Sequence, residues 1–219
     1  PTLGMNVGQP IMTSGSIFLN LELPTSELGK FYTFGGTTIR KGTSYALYRT
    51  PYWIPTDYGL LTPSGEAYNG FQPEFLTEVY DHNFTSGWKG KLGQWKLDGS
   101  ATYGASIVNY EVGNTINTSL GANSPTKFKA GGHQFSNIIG NIDLSRDFGN
   151  VFVGFGAEAR NENFIAKEGE EASYFESGAS SFPGLQPQNA VNDNRQNVGV
   201  YSTVGWDITK DFLLEGAVR

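Results

Sequence analysis

Apolar and polar residues alternate along the last part of the chain, residues 197–219. The even positions there are mostly apolar: Val198, Val200, Val204, Trp206 and Ile208, then Phe212, Leu214 and Val218 beyond a short polar turn. The odd positions include Asn197, Thr203, Asp207 and Glu215. Because successive side chains of a strand point to opposite faces, this period of two predicts two β-strands, each with an apolar and a polar face.

The same period recurs upstream and predicts about eight strands in all. The first six are expected at residues 16–23, 30–49, 76–90, 94–110, 134–145 and from 151 onward. Short connections, at 24–29, 91–93, 146–150 and 207–211, alternate strictly with long ones, at 50–75, 111–133 and 167–194. The short ones are rich in the Gly, Asp, Asn or Pro that tight turns need. The sequence therefore predicts an all-β fold, an antiparallel up-and-down meander with short turns at one end and long loops at the other.

The two faces of these strands differ in chemistry. Charged residues occupy mid-strand positions of the polar face: Glu22, Asp98, Asp143, Glu158, Arg160 and Glu162. Burying such groups unpaired costs several kcal/mol each, so this face is expected to be the solvent side of a soluble sheet or the lumen of a membrane barrel. The apolar face includes small residues that fill a core poorly: Ala101, Ala157, Ala159 and Gly140. Together with the one-sided loops, these residues favour a transmembrane β-barrel.

Aromatic residues and glycines refine this prediction. Four aromatic residues are expected near strand ends, where a membrane barrel has its girdle: Trp95, Tyr103, Trp206 and Phe212. Inward glycines would fill a small closed interior badly: Gly104, Gly154, Gly156, Gly199 and Gly205. The last strand is still alternating at Arg219, and an open edge in lipid leaves backbone groups unpaired. A barrel larger than eight strands, completed by further chain, is therefore expected.

Composition removes several classes of function. The chain has 219 residues, 29 of them Gly, with 15 Phe, 11 Tyr, 4 Trp and no Cys, which excludes a disulfide scaffold and thiolate metal sites. The net charge of −6 and the lack of a basic cluster argue against nucleic acid as a partner. No apolar run approaches the ~18 residues of a membrane helix, and residues 1–10 do not resemble a signal peptide.

Several blocks of the sequence resemble the barrel domain of TonB-dependent outer-membrane receptors, most of all receptors of Bacteroidetes-type bacteria. These blocks are KFYTFGGTTIRKG, YALYRTP, YNGFQPE, INTSLGANSPTKFKAGG, FVGFGAEARNENFIAKEGEEASYF, FPGLQPQNAV and LLEGAVR. The resemblance covers nearly the whole chain from about residue 15. It implies a 22-stranded barrel in the bacterial outer membrane, plugged by an N-terminal domain, that takes up a scarce solute when TonB pulls on the plug.

The chain departs from that family plan, because no plug domain, TonB box or terminal strand ending in an aromatic residue is recognisable in it. Residues 1–219 are therefore expected to be an internal part of the barrel, about eight strands, without the plug and the remaining strands. The partners that the resemblance implies are outer-membrane lipid, the rest of the barrel and plug, and TonB through the missing N-terminal region. A surface lipoprotein is a further candidate partner. The solute, whether siderophore, vitamin or glycan, is left open, as are its ligand-binding residues.

No catalytic, cofactor or metal site is expected, so the chain is not predicted to be an enzyme. His82 and His133 are the only histidines and are far apart in sequence. Aromatic residues of the first long loop region could stack on a ligand ring or pack against other loops: Tyr45, Tyr48, Tyr52, Trp53, Tyr58 and Tyr68. Four carboxylates could attract calcium but are unevenly spaced, and solvation is the simpler expectation: Glu168, Glu170, Glu171 and Glu176.

Two other functions fit parts of the pattern. A complete eight-stranded outer-membrane barrel with a structural or adhesive role would pair its first and last strands. A secreted carbohydrate-binding β-module would bury its apolar faces between two sheets.

Overall fold

The computed structural model describes residues 4–8, 10–26 and 28–219. Eight strands form one antiparallel sheet in sequence order: β1 (Ile11–Ser26), β2 (Gly29–Tyr45), β3 (Glu74–Leu92), β4 (Trp95–Gly113), β5 (Lys127–Asp147), β6 (Val151–Lys167), β7 (Val191–Thr209) and β8 (Phe212–Val218). One short helix, α1 (Glu171–Tyr174), and two 3₁₀ turns, Thr118–Asn123 and Pro187–Asn189, lie in the connections. The predicted all-β meander is confirmed.

The strands run further toward the long loops than the alternation predicted. β5 begins at Lys127 instead of 134, and β7 begins at Val191 instead of 197. At the start of β7 both faces carry polar residues, as in the segment VNDNRQ, so the period of two disappears from the sequence although the backbone ladder continues. At the start of β5 the alternation of KFKA is out of phase with the rest of the strand, because the register with β4 shifts between Tyr110 and Glu111. β2 instead ends at Tyr45, earlier than the predicted 49, because the chain there turns into the first long loop.

Short turns and long loops alternate as predicted. The long loops are L1 (residues 46–73), L2 (114–126) and L3 (168–190), and L2, at 13 residues, is much shorter than the predicted 111–133. The turns after β3, β5 and β7 contain only residues 93–94, 148–150 and 210–211; residue 27, in the predicted turn at 24–29, lies outside the described residues. Gly93 adopts φ 62°, a left-handed conformation that tight hairpin turns require and that glycine adopts without strain.

One face of the sheet, here called the outward face, carries an exposed apolar belt. Ile17 and Val198, near its two margins, are 79% and 82% exposed, and Ile138 and Ile142 in its middle are also exposed. The described residues form a single sheet, with no second layer of strands against this belt. The two-sheet arrangement of a secreted β-module is therefore not the one adopted.

The belt crosses the strands obliquely. On the outward face of β2 to β7, the first charged or carboxamide side chain above the belt is Lys41, Glu78, Asn109, Gln134, Asn161 and Gln196 in turn. In the strand register this boundary moves by two residues from β4 to β5 and by four from β5 to β6, and it stays level at the other three steps. With a rise of about 3.3 Å per residue and a strand spacing of about 4.8 Å, the strands incline by about 40° to the belt normal.

Aromatic side chains gather on the outward face near the short turns. Trp88, Trp95 and Trp206 lie there, and Trp88 donates its indole N–H to Thr25 Oγ1 at 2.9 Å. The guanidinium of Arg146 lies 5.8 Å from the Trp95 ring and 4.4 Å from that of Phe148.

Of the four residues predicted for this girdle, Trp95, Trp206 and Phe212 are near strand ends. The prediction for Tyr103 is wrong, because β4 continues to Gly113 and leaves Tyr103 in its middle.

The opposite, inward face carries the predicted charges, and many of them are paired. Glu22 binds Lys30 and Lys89 at 2.5 and 3.2 Å, and Arg40 binds Asp81. A larger cluster joins β6, β7 and Arg219: Glu158, Arg160, Glu162, Arg195 and Arg219. Glu158 and Glu162 are the least exposed of these side chains, and pairing with arginine offsets the cost of their partial desolvation.

Several inward glycines are covered by side chains of neighbouring strands. The Tyr32 ring lies over Gly87, and its hydroxyl donates to Asp98 at 2.7 Å. The Tyr201 ring lies over Gly156 in the same way, and its hydroxyl donates to Asp143. The other predicted inward glycines also have near neighbours: Asn137 at Gly104, Thr203 at Gly154, Arg219 at Gly199 and Glu215 at Gly205. Glycine thus makes room for long side chains that cross the sheet.

The buried side chains lie at the long-loop end. Val112, Phe128 and Ala130 of β4 and β5 are fully buried together with Ile116, Asn117 and Ser173 of L2 and L3. L2 and L3 therefore pack on each other and on the inward face of the sheet.

The sheet is open. Among the described residues β1 pairs only with β2 and β8 only with β7, so the closed eight-stranded barrel is not the arrangement adopted. No helix in the described ranges is long and apolar enough to cross a membrane.

Candidate functional site

A row of aromatic rings crosses the inward face just beneath the long loops. Phe75 on β3, Tyr110 on β4, His133 on β5 and Phe164 on β6 follow one another with ring centroids 5.6, 5.6 and 5.9 Å apart. Phe182 of L3 packs edge-on against Phe75 at 4.9 Å and Tyr110 at 6.0 Å. The row is the most continuous set of rings on the wall, and we treat it as the candidate functional site.

A β-bulge between β4 and β5 shapes the wall above this row. The register shifts between Tyr110 and Glu111, so that Ala130 has no direct partner on β4. Gly131 takes φ 101°, and a side chain there would collide with the Lys167 carbonyl. The bulge reverses the facing of β5, so that Phe128 and Ala130 turn inward and are buried under the loops.

L3 is fastened over the row by backbone and side-chain hydrogen bonds. Asn117 of L2 is fully buried and donates its amide to the carbonyls of Ala172 and Phe175, at 3.0 and 2.8 Å. The Leu185 amide donates to Ala130 of the wall at 3.0 Å. These bonds fix the segment that carries Phe182, so L3 covers one end of the ring row.

L1 is built around the carboxylate of Asp57, which is 2% exposed. It accepts hydrogen bonds from the amides of Gly59, Leu61 and Thr62 at 2.9, 3.0 and 2.6 Å. Burial alone would raise the pKa of Asp57, but the hydrogen bonds from Thr62, Gly59 and Leu61 outweigh it and hold that pKa below its ordinary value. The Arg49 side chain then joins L1 to L3 through Ser180 at 2.9 Å.

The other end of the row is open. Phe135 and Phe164 are direct cross-strand neighbours on the inward face, 40% and 42% exposed, and the His133 ring stacks on Phe164. Their nearest inward neighbours in the register are Ser106 on β4 and Asp193 on β7. The next row toward the short turns is polar throughout: Asn137, Glu162 and Arg195. Exposed ring faces are thus bordered by hydrogen-bonding groups.

The two histidines lie on opposite faces of the sheet. His82 is on the outward face of β3, where its Nδ1 lies 3.1 Å from Thr37 Oγ1. His133 is on the inward face, with Nδ1 3.4 Å from the Tyr110 hydroxyl. The sheet keeps them apart, so they cannot act on one substrate.

The aromatic residues of the first long loop region divide into two groups. Tyr48 and Tyr68 donate their hydroxyls to carbonyls of the same loop, Asn69 and Ile54, at 3.0 and 2.8 Å. Tyr52 is 91% exposed, Trp53 and Tyr58 are also exposed, and Trp53 contacts the Arg49 guanidinium. Tyr45 is the last residue of β2. Loop packing therefore accounts for part of this set.

The acidic residues of L3 are not gathered into one site. Glu170 accepts the Lys129 amide at 3.1 Å, and Glu171 begins α1. Across the described ranges, no three His, Asp or Glu side chains come close enough to hold a metal ion. Glu168 and Glu176 are among the described residues and belong to no such group.

The open rings were missed by the sequence analysis. Phe75, Phe135 and Phe164 lie 29 or more residues apart along the chain and share only their aromatic character, and strand register brings them onto one face. Phe182 joins the row through the packing of L3. The usable signal was an aromatic residue at a position of the polar face, as for Phe135 and Phe164.

Comparison with known proteins adds no relative to this picture. No protein-family model matches the chain, and no curated protein matches it significantly.

Proposed function

We propose that this chain is part of the barrel wall of a TonB-dependent outer-membrane receptor, which takes up a scarce solute such as a siderophore, a vitamin or a glycan. Residues 1–219 would supply eight strands of a 22-stranded barrel, and the plug and the other strands would lie outside this sequence. The proposal combines the resemblance of the sequence blocks with the architecture of the sheet.

The observation that carries the proposal is the oblique apolar belt on a single-layered sheet. A lipid-facing wall needs an uncovered apolar face, a wet or protein-filled opposite face, and strands tilted by about 35–45°. The belt has exposed residues such as Ile138 and Val198, and the inward face carries paired charges. The inclination of about 40° derived from the register falls in the expected range.

The two open edges support a barrel larger than eight strands. In lipid, each unpaired backbone amide or carbonyl is costly, so the outer edges of β1 and β8 need partners. In the proposal, further barrel strands pair with both edges. The plug packs against the inward face, and TonB acts through the N-terminal region of the receptor. A surface lipoprotein is a further partner to be tested, and the role of the chain is transport and not catalysis.

Two adjacent residues of β5 provide a matched test. Ile142 is outward and exposed in the middle of the belt, whereas Asn141 is inward and pairs in register with Glu158. We expect Ile142→Arg to lower the yield of folded, heat-modifiable receptor in the outer membrane, because Arg at the bilayer midplane costs about 2–4 kcal/mol. Asn141→Arg should insert normally. Uptake of the cognate solute should also stop when TonB is deleted.

A soluble protein would tolerate Ile142→Arg, because Ile142 would then face water. If Ile142→Arg left the protein fully folded and soluble without detergent, the membrane-wall proposal would be wrong. If the receptor inserts normally but transports its solute without TonB, the barrel part of the proposal would stand and the TonB-driven mechanism would be wrong.

A further inference from the structure

We propose that the open rings Phe135, His133 and Phe164 are a stacking site for a neutral sugar ring of the transported solute. The inference rests on the proposed function, because it takes the inward face to be the lumen that the solute meets. It goes further by assigning a place on the wall and one chemical class of ligand.

These rings are exposed in an otherwise polar part of the inward face. Most inward residues around them are polar, yet Phe135 and Phe164 stand side by side and expose 40% and 42% of their surface. Neighbouring rings of the same row, Phe75 and Tyr110, are instead covered by Phe182. L3 therefore closes one end of the row and leaves the other end accessible from the lumen.

The position of the open rings is well defined. His133 lies between the Tyr110 hydroxyl, 3.4 Å from its Nδ1, and the Phe164 ring, on which it stacks with an interplanar angle of 24°. Strand pairing on both sides of β5 and β6 holds the backbone beneath these rings. A flat partner can stack on such a platform without first ordering it, which lowers the entropic cost of binding.

The charges around the rings decide the ligand class. Two arginines stand against two carboxylates within two rows of the open rings: Arg160 and Arg195 against Glu162 and Asp193. Glu162 already accepts hydrogen bonds from Arg195 and Asn197, at 2.8 and 3.1 Å. An anionic aromatic ligand would meet carboxylates without a surplus of positive charge, which disfavours it.

A sugar fits this balance. One face of a pyranose ring is lined by C–H groups and can stack on an aromatic ring, while its hydroxyls both donate and accept hydrogen bonds. Beside the rings, Asp193 and Glu162 are acceptors, Arg195 is a donor, and Asn137 can do both. This combination of apolar faces and a few polar groups at their edge is typical of small-ligand sites.

The test measures binding of defined sugars to the full-length protein purified in detergent. Cellotetraose and maltotetraose are titrated by calorimetry, with 2,3-dihydroxybenzoate as an anionic aromatic comparison. We expect at least one tetrasaccharide to bind, and Phe164→Ala to weaken that binding about tenfold. Phe164→Trp should keep the affinity within about twofold, whereas Phe164→Leu, which is apolar but has no ring, should behave like the alanine variant.

Phe152 provides the matched control. It lies on the same strand and the same inward face as Phe164 and is 38% exposed, but it is close to the short turns. Phe152→Ala should leave the sugar affinity unchanged. The inference is overturned if neither tetrasaccharide binds, if Phe164→Ala binds as well as the unaltered protein, or if only 2,3-dihydroxybenzoate responds to Phe164→Ala.

The binding measurement needs neither TonB nor a sealed membrane. Sugar binding that depends on Phe164 in a protein without TonB-dependent uptake would contradict the proposed function and leave this site standing. If uptake depends on TonB but the sugar affinity does not change in Phe164→Ala, the proposed function would stand and the assignment of this site would be wrong.

Discussion

At the scale of single residues, the inward face depends on glycines that leave room for tyrosines. Tyr201 of β7 reaches across β6 to Asp143 of β5, and Gly156 lies directly beneath its ring. Tyr32 reaches Asp98 across Gly87 in the same way. Asp98 and Asp143 are opposite each other in the register, an unfavourable pairing of like charges. Each carboxylate therefore gains a hydroxyl donor, and each tyrosine links strands that are not neighbours.

This arrangement makes Gly156 more sensitive to substitution than a strand glycine with open space around it, such as Gly140. Gly156→Ala would place its Cβ within the Tyr201 ring, and we expect a loss of about 1–3 kcal/mol in the free energy of unfolding. Gly140→Ala on the neighbouring strand should be nearly neutral, because nothing lies within 4 Å of that position. Urea unfolding in detergent, followed by gel mobility, measures both variants.

A double variant separates the clash from a backbone effect. Adding Tyr201→Ala to Gly156→Ala should cost less than the sum of the two single changes, because the ring that the new Cβ meets is gone. Additive losses would mean that Gly156 is needed for some other reason.

At the scale of elements, the long loops form a packed unit on top of the wall. The most central contact is the buried amide of Asn117, which donates to the Ala172 and Phe175 carbonyls and accepts from Ser119 and Ser177. Thr115 and Ser180 add a further bond between L2 and L3 at 2.8 Å. The loops thus resemble a small globular layer more than a set of independent connections.

Loss of the Asn117 amide should loosen L3 without affecting the strands. In Asn117→Ala the two carbonyls lose their donor in a buried site, at a cost of about 1–3 kcal/mol. We expect faster hydrogen exchange and proteolysis in residues 171–182, while amide protection of β4 to β6 is unchanged. Asn189→Ala, at an exposed position of the same loop, is the control. Uniform loss of protection in loops and strands would contradict this division.

The strands also show how much of the structure the sequence predicts. Period-two alternation assigned the faces of β4 to β7 correctly, because one face of each carries the apolar belt. The strand end at Val191 could not be found in this way, since both faces are polar there. The end at Lys127 was missed because the bulge puts Phe128 and Ala130 out of phase with the rest of β5. The ring row could not be found either. Tyr110, His133 and Phe164 come together through cross-strand register and a bulge, and neither leaves a local pattern in the sequence.

At the scale of the whole molecule, the belt and its aromatic rim set the orientation. The outward apolar face is exposed from β1 to β8, and its indole side chains lie toward the short turns. In the proposed membrane setting, these indoles sit at the interface on the short-turn side, and the long loops lie on the opposite side with the open rings beneath them. Lys41 and Glu78 pair on the outward face just above the belt, where the wall would leave the hydrocarbon.

The four tryptophans allow this orientation to be measured. Trp88, Trp95 and Trp206 lie on the outward face, whereas Trp53 is exposed on L1 at the other end. In liposomes that hold a receptor variant with these four as its only tryptophans, lipids brominated near the headgroup should quench most of the emission. They should quench it more strongly than lipids brominated near the bilayer centre, because the indoles sit at the interface. Aqueous iodide should reach only the fraction that Trp53→Phe removes. If iodide quenched most of the emission in Trp53→Phe, the apolar face would be in contact with water and not with lipid, and both the orientation and the barrel-wall proposal would be wrong.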